Sequence, residues 1–135
     1  MIIELLKPIN EEDFNSLKSK KRGSIGEEIQ IYTENLGFPD LDSTDIAIIG
    51  ISETRNSFFE STHFNLSNLR KEFYQLNLGK WKKSISDLGN LPNGETTNDT
   101  YHAISEVCLF LRKKNIITIN KTNIAPNSSE ITAIM

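Results

Sequence analysis

Residues Ile46–Ile51 form an almost unbroken apolar run that is rich in β-branched side chains and holds one glycine. The run is too short for a typical helix and has the pattern of a strand that is buried on both faces. A strand of that kind needs helices above and below it. The pattern therefore predicts a small parallel sheet that grows outward from this segment.

Two more stretches have the pattern of strands. The short extended stretch Lys83–Asp87 predicts a second strand, and Ile116–Ile119 predicts a third. The turn-rich loop Asp87–Gly94 follows the second strand. Right-handed crossovers put helices on opposite faces of the sheet if the three strands lie in the order 2-1-3. We therefore predict an α/β fold with three layers, α/β/α, around a short parallel sheet.

Helical periodicity of apolar residues appears in three places. The first set is Ile25, Ile29, Tyr32 and Leu36, the second Leu66, Leu69, Phe73 and Leu76, and the third Tyr101, Ile104, Cys108 and Leu111. Ser24 and Glu27 have the spacing of a capping box before the first helix, and Thr97 or Asn98 is placed to cap the third. On the second helix, Arg70 falls on the side that the pattern assigns mostly to water.

A chain of 135 residues with 37% hydrophobic residues is long enough for one ordinary domain. We expect a helical extension at residues 1–44, a partial α/β domain at 45–119 and an irregular tail at 120–135. The net charge of -3 and a pI near 5.4 argue against a general nucleic-acid surface. The first residues lack the basic start of a signal peptide, and no apolar run approaches membrane-spanning length. We expect a cytoplasmic protein without a nucleic-acid or membrane partner.

Polar residues follow the predicted strands and are the candidates for a site. Glu53 follows the first strand, and Asp87 and Asn90 lie at the end of the second. Open parallel sheets bind ligands at the carboxyl ends of their strands, so these three residues are candidates for a site rim by position, although such residues are also common in loops and caps. His63 and His102 lack a second ligand at metal-binding spacing. We therefore assign no catalytic, metal-binding or cofactor-binding residue.

Three motifs resemble those of the ureohydrolases, the family of arginase, agmatinase and formimidoylglutamase. Asp45–Arg55 resembles the family's opening strand and charged loop, although Ser52 stands where the family usually has proline. Asn68–Tyr74 looks like the helix that follows, with Arg70 at the family's usual Ile-Arg pair. Ser86–Thr96 is similar to the Asp-x-Gly-Asn/Asp loop after the second strand. The likeness extends over residues 31–119, is strongest to the bacterial formimidoylglutamase and arginase-like branch, and implies the amino-terminal portion of an arginase-like fold.

The resemblance also has consequences for chemistry. Ureohydrolases use two manganese ions to generate the hydroxide that attacks a guanidinium or formimidoyl carbon. Their metal ligands lie in a Gly-Gly-x-His/Gln segment after the third strand and in later aspartate-rich motifs. Here residues 120–124 read Asn-Lys-Thr-Asn-Ile, and the later motifs do not occur. The resemblance implies an amino-terminal fragment of a manganese-dependent ureohydrolase, inactive as written and without a cofactor in this chain. The alternative is a stand-alone small α/β binding or interaction module without hydrolase activity.

The predicted strand order has a consequence for partners. It leaves Ile116–Ile119 at an edge of the sheet, where backbone groups lack a neighbouring strand. We therefore expect self-association through this edge strand.

The sequence does not choose among arginine, agmatine and formimidoylglutamate, because the residues that select the substrate in the family lie largely outside the region of likeness.

Overall fold

The computed structural model describes residues 2–18, 21–53, 55, 66–80 and 82–121. Four parallel strands form one sheet, with helices on both sides of it. The strands are β1 (Gln30–Ile31), β2 (Ile46–Ile51), β3 (Ile85–Leu91) and β4 (Ile117–Lys121). The α-helices are α1 (Glu11–Leu17), α2 (Ile25–Glu28), α3 (Leu66–Tyr74) and α4 (Thr97–Lys113), and short 3₁₀ helices cover Ile2–Leu5 and Leu41–Ser43. The predicted α/β class is confirmed.

The sheet has the order β1-β3-β2-β4, and every pair of neighbours is parallel. The three predicted strands keep the relative order that their crossovers favour. The additional strand β1 lies outside β3, so the full order differs from the three-stranded order predicted from the sequence. The edges of the sheet are therefore β1 on one side and β4 on the other.

The prediction of a long helix from Ile25 to Leu36 is wrong. The helix ends at Glu28, and the chain then pairs Gln30 with Ser86 of β3. The capping box is absent as well: the Ser24 side chain makes no cap hydrogen bond. Ile25 and Ile29 are both in the core although the helix between them is short. Their spacing therefore does not distinguish a long helix from a short helix that is followed by a strand.

Strand β3 starts two residues later and runs further than the prediction for Lys83–Asp87. It continues to Leu91 through residues that resemble a turn. Gly89 has φ of 85°, and the pairing with β2 shifts register between Ile48 and Gly50. A glycine with positive φ is typical of a bulge, which lets a strand continue through an irregular residue. Gly89 and Asn90, which predict a turn, therefore lie inside the strand.

The amino-terminal segment closes over this irregular part of β3. The Lys7 amide donates to the Asn90 carbonyl at 2.7 Å, and the Asn90 amide donates to the Lys7 carbonyl at 2.9 Å. A Cβ on Gly89 would collide with the Lys7 carbonyl oxygen. Only glycine therefore permits this close backbone approach.

Side chains of the sheet project alternately to its two faces, and each face packs into its own hydrophobic core. Ala47, Ile49 and Ile51 of β2 pack on the α4 side together with Ile104, Val107, Cys108 and Leu111. Ile46 and Ile48 pack on the α3 side with Leu17, Ile25 and Tyr74. Burial of each such aliphatic side chain stabilises the fold by about 1.5–3 kcal/mol, so β2 carries much of the stability. The prediction that β2 is buried on both faces is confirmed.

Helix α4 begins with a capping box one residue before the predicted caps. The Asp99 amide donates to Thr96 Oγ1 at 3.2 Å, and the Thr96 amide donates to Asp99 Oδ2 at 3.0 Å. The helix ends before Asn115, whose φ of 61° is the left-handed conformation that asparagine tolerates at helix ends. Cys108, a member of the third apolar set, is buried on this helix.

Strand β4 follows α4 and pairs only with β2 among the described strands. It includes Asn120 and Lys121, and the rest of the predicted tail, residues 122–135, lies outside the described residues. Residues before Asp45 supply β1 and also place Ile2 and Leu6 in the core on the α4 side. Within the described ranges, no helix is long and apolar enough to cross a membrane.

Candidate functional site

Two polar clusters lie beside the central strands, one from the middle of β3 toward its carboxyl end and one just after β2. The first, called the buried cluster, consists of Arg70, Tyr74, Asp87 and Asn90. The second, called the rim cluster, consists of Glu53, Arg55 and Thr100. The three candidates from the sequence are divided between them: Asp87 and Asn90 belong to the buried cluster and Glu53 to the rim cluster.

The buried cluster is built on an ion pair between α3 and β3. Arg70 Nε donates to Asp87 Oδ2 at 2.7 Å, and Arg70 Nη2 donates to Asp87 Oδ1 at 3.0 Å. The Arg70 side chain is 7% exposed and that of Asp87 is fully buried. This two-bond geometry is the strong form of an arginine–carboxylate pair. The guanidinium also donates to Asn90 Oδ1 at 2.7 Å and to the Gly89 carbonyl at 2.8 Å.

The remaining acceptor positions of Asp87 are also occupied. Its carboxylate accepts a hydrogen bond from the Tyr74 hydroxyl and another from the Gly89 amide at 3.0 Å. Burial, together with the nearby Asp87 carboxylate, raises the pKa of Tyr74, so the phenol stays neutral and donates. Burial alone would lower the pKa of Arg70, but Asp87 outweighs it and the net pKa is raised. The cluster therefore consists of the Arg70–Asp87 ion pair, a neutral donor in the Tyr74 hydroxyl and a neutral acceptor in the Asn90 side-chain oxygen.

The burial of Arg70 corrects the prediction that it mostly faces water. Arg70 and Tyr74 are one turn apart on α3, so both reach the sheet on the same side of the helix. Gly50 of β2 makes the necessary space: a Cβ there would collide with Asn90 Oδ1 and lie 2.9 Å from Arg70 Nη2. The predicted apolar residue Leu76 is instead 53% exposed. The polar pair displaces the apolar stripe toward the edge of the sheet.

The rim cluster ties the loop after β2 to the loop before α4. Arg55 Nε donates to Glu53 Oε1 at 2.8 Å and Arg55 Nη2 to Glu53 Oε2 at 2.6 Å. The same guanidinium donates to the carbonyls of Gly94 and Glu95, each at 2.8 Å. Thr100 Oγ1 donates to Glu53 Oε2 at 2.8 Å. Arg55 therefore clamps the β3–α4 loop against the end of β2.

The rim cluster has a defined protonation state. Hydrogen bonds from the Arg55 side chain, aided by Thr100, lower the pKa of Glu53 from 4.5 to about 2 although burial opposes the shift. Glu53 is fully buried by its neighbours, whereas the Arg55 side chain is 42% exposed. The carboxylate is therefore ionised at neutral pH and held by donors, which leaves it little basicity for proton transfer.

Neither cluster has the donor set of a manganese centre. Asp87 and Glu53 are each held by an arginine, and the structure does not bring them to one point. Among the described residues no group of three His, Cys, Asp or Glu side chains could hold a metal ion. His102 is exposed on α4, and His63 lies outside the described residues. Whether Glu53, Asp87 and Asn90 form the rim of a ligand site stays a prediction.

An apolar cleft of about 290 Å³ lies beside the buried cluster. Its walls come from β2, α3 and β4, and they include Ile48, Leu66, Leu69, Phe73, Leu76 and Ile119. Gly50 and Arg70 also line it, and the Arg70 guanidinium already donates to Asp87, Asn90 and Gly89. The cleft therefore offers mainly apolar contact.

Sequence reasoning missed the arginines and hydroxyls that complete both clusters. Two local signals were available: Arg55 stands two residues after Glu53, and Arg70 stands four residues before Tyr74 on a helix. Neither spacing specifies a partner on another element. The contacts with Asp87 and Thr100 depend on how the helices cross the sheet.

A scan of family models, a search of curated proteins and a search of solved structures found no match to this chain. The fold and the two clusters define a parallel α/β domain. A narrower assignment is a proposal that depends on the sequence motifs and on how their residues meet.

Proposed function

We propose that this chain forms the amino-terminal sheet scaffold of a ureohydrolase-like domain of the formimidoylglutamase or arginase-like type. One observation supports the proposal: Gly50 lies against the buried cluster, where Arg70 contacts Asp87 and Asn90. These four residues come from the three separate motifs that resemble the family. A shared buried contact is a physical reason for the three motifs to occur together in one sequence.

The proposed role of the buried cluster is positioning. Arg70 holds Asp87, the Gly89 carbonyl and Asn90 from the middle of β3 toward its carboxyl end. Parallel α/β sheets attach their functional loops at this end of the strands. The cluster thus fixes the direction in which the β3–α4 loop leaves the sheet, while the cluster itself contacts no substrate.

The scaffold does not hydrolyse guanidino or formimidoyl compounds on its own under this proposal. Such hydrolysis in the family needs two manganese ions to supply hydroxide. The carboxylates of the described residues do not fit that group, because Asp87 accepts four hydrogen bonds within the buried cluster and Glu53 is held by Arg55 and Thr100. The expected cytoplasmic location stays a prediction.

A direct assay tests the inactivity. The purified chain is incubated with manganese and, separately, with arginine, agmatine or formimidoylglutamate, and the release of urea, formamide or ammonia is measured. We expect no turnover above that of manganese in buffer. Turnover that a chelator abolishes would contradict this part of the proposal.

A chimera tests the family assignment. Residues 1–119 replace the corresponding part of a bacterial formimidoylglutamase, and a control chimera receives the same part of a second formimidoylglutamase. We expect a folded chimera with manganese-dependent hydrolysis, which an Arg70→Met substitution reduces. If the control chimera is active and this one is insoluble or folded without activity, the assignment is wrong.

The apolar cleft favours a second candidate, a small α/β module that binds another molecule without chemistry. Exposed Leu76 borders the cleft, and Ile117 is 57% exposed on the adjacent edge strand. Exposed apolar surface of this kind often marks an interaction site. A folded but inactive chimera would favour this module over the ureohydrolase scaffold.

A further inference from the structure

Strand β4 presents one side of its backbone away from the described strands. The Ile117 amide donates to the Asp45 carbonyl at 3.0 Å, so residue 117 points its backbone groups toward β2. Because backbone groups alternate sides along a strand, Ile119 and Lys121 also face β2, whereas Thr118 and Asn120 face the free edge. The amides and carbonyls of Thr118 and Asn120 therefore give this free edge two donors and two acceptors.

We propose that a second copy of this chain pairs with this edge, antiparallel to β4, with Ile119 on the two-fold axis. In that register Thr118 of each copy exchanges hydrogen bonds with Asn120 of the other. The exchange makes four backbone hydrogen bonds and uses all the outward groups of the strand. Shifting the register by two residues places either Thr118 or Asn120 on the axis and leaves the other opposite a residue outside β4. The outward direction of the Thr118 and Asn120 backbone groups thus favours the register with Ile119 on the axis.

The side chains of the α3 face are compatible with this register. Ile117 and Ile119 pair with Ile46 and Ile48 of β2, so they project on the α3 side of the sheet. Directly opposite residues of antiparallel strands share a face. The two Ile119 side chains therefore meet at the axis, and Ile117 stands opposite position 121 of the other copy.

Charge also favours an antiparallel second copy. Lys121 is the only charged residue of β4, and it is the last one. With Ile119 on the axis, the two lysines occupy opposite ends of the ladder, about 13 Å apart at roughly 3.3 Å per residue. This separation exceeds the Debye length of about 8 Å at physiological salt, so their repulsion is screened. Parallel pairing in register would instead place the lysines side by side.

The exposed apolar surface on the same face also favours a second copy of the chain as the partner. Ile117 is 57% exposed, and Leu76 lines the cleft that reaches Ile119. Two-fold pairing joins the two clefts into one apolar surface across the new strand pair. A pair of five-residue strands buries less than the roughly 1,200 Å² of a stable interface, so we expect a weak dimer whose population depends on concentration. The proposal is independent of the ureohydrolase likeness, because it uses only the geometry of the edge.

Sedimentation velocity of the full chain over about 5–500 µM tests the stoichiometry. We expect the sedimentation coefficient to rise with concentration and to stop at the dimer, because a two-fold interface is closed. Ile117→Lys should weaken dimerisation at least about tenfold, since it places a second positive charge at the edge. Leu109→Lys is the matched control, because Leu109 is 50% exposed on α4 and should leave the dimer unchanged. A monomer at all concentrations, or equal behaviour of the two lysine variants, would overturn the proposal.

Cysteine cross-linking tests the register. Ile119→Cys places two thiols at directly opposite, non-hydrogen-bonded positions, where Cα atoms are about 4.5 Å apart and a disulfide can form. Ile117→Cys is the control, because its two copies are about 13 Å apart along the ladder. After mild oxidation we expect a reducible dimer for Ile119→Cys only, and the parent chain with buried Cys108 should stay uncross-linked. Equal cross-linking at both positions would overturn the register.

A backbone variant distinguishes strand pairing from apolar contact. Asn120→Pro removes an outward amide but leaves the hydrogen bonds from β4 to β2, and edge strands tolerate proline at such positions. We expect weaker dimerisation with an unchanged thermal midpoint of unfolding. An unchanged dimer would mean that the edge ladder is not the contact.

Discussion

The buried cluster and the rim cluster use the same chemistry in different surroundings. Each pairs an arginine with a fully buried carboxylate. The Arg70 side chain is 7% exposed, whereas that of Arg55 is 42% exposed. Water can therefore replace part of the hydrogen bonding that Arg55 supplies, but it reaches the Arg70–Asp87 pair far less. Loss of one partner should therefore destabilise the fold in the buried cluster, whereas in the rim cluster the ion pair mainly organises a loop.

The difference follows from the cost of removing charges from water. A buried ion pair adds little net stability relative to apolar residues of the same size, but loss of one partner leaves a charge without solvent or counter-charge. At a half-exposed pair, solvent screens both the attraction and its loss. Substitutions in the two clusters should therefore differ in size even where the contacts look alike.

The largest expected effect is that of Asp87→Ala. It leaves the Arg70 charge, the Tyr74 hydroxyl and the Gly89 amide without their acceptor, and we expect a loss of about 3–5 kcal/mol in the free energy of unfolding. Urea unfolding followed by circular dichroism measures it. The control is the double variant Arg70→Met with Asp87→Asn, which removes both charges and should lose less. A single variant that is as stable as the parent would contradict the assignment.

A smaller effect is expected for Gly50→Ala. The new methyl group collides with Asn90 Oδ1 and crowds the Arg70 guanidinium, so we expect a loss of about 1–3 kcal/mol. The same unfolding measurement applies. Adding Asn90→Ala removes one colliding atom, so the double variant should lose less than the sum of the two single variants. Strict additivity would show that the collision with Asn90 is not the cause.

The smallest effect concerns the pH dependence of the rim cluster. Because the folded protein lowers the pKa of Glu53 from 4.5 to about 2, its ionised form stabilises the fold above pH 4.5. That contribution is lost as the pH falls through this window toward 2. Glu53→Gln should therefore flatten the decline of the thermal midpoint across the window relative to the parent. Parallel pH profiles for the two proteins would count against a role of the Glu53 charge.

The central strands could be predicted because their residues leave few alternatives. Ile46–Ile51 is apolar throughout, and a run of that length fits a strand between two helical layers. Strand β1 could not be predicted from the spacing of Ile25 and Ile29. That spacing fits a long helix, and it fits equally well a short helix followed by a strand. Only the pairing of Gln30 and Ile31 with β3 decides between the two, and pairing depends on distant residues.

The positions of the three candidates were predicted only in part, and their partners were not. Glu53 follows β2, and Asn90 lies near the carboxyl end of β3, close to where the sequence pattern ends each strand. Asp87 lies inside β3 instead, because the strand continues to Leu91. The burial of Arg70 was not predictable, because a helix pattern assigns a charge to water unless its partner is known. That partner, Asp87, lies 17 residues away on another element. Long-range electrostatic pairing is the information that local periodicity lacks.

The backbone bridge between Lys7 and Asn90 has a consequence for the time order of folding. It joins positions about eighty residues apart, and such distant contacts are among the slowest to form because a long loop must close first. During synthesis the amino-terminal segment emerges long before β3 exists. The amino-terminal segment therefore cannot form these hydrogen bonds until β3 is present. Asn90 reaches its final backbone geometry only when that segment docks. Hydrogen-exchange labelling during refolding should show the Lys7 and Asn90 amides gaining protection later than those of β2, and simultaneous protection would contradict this order.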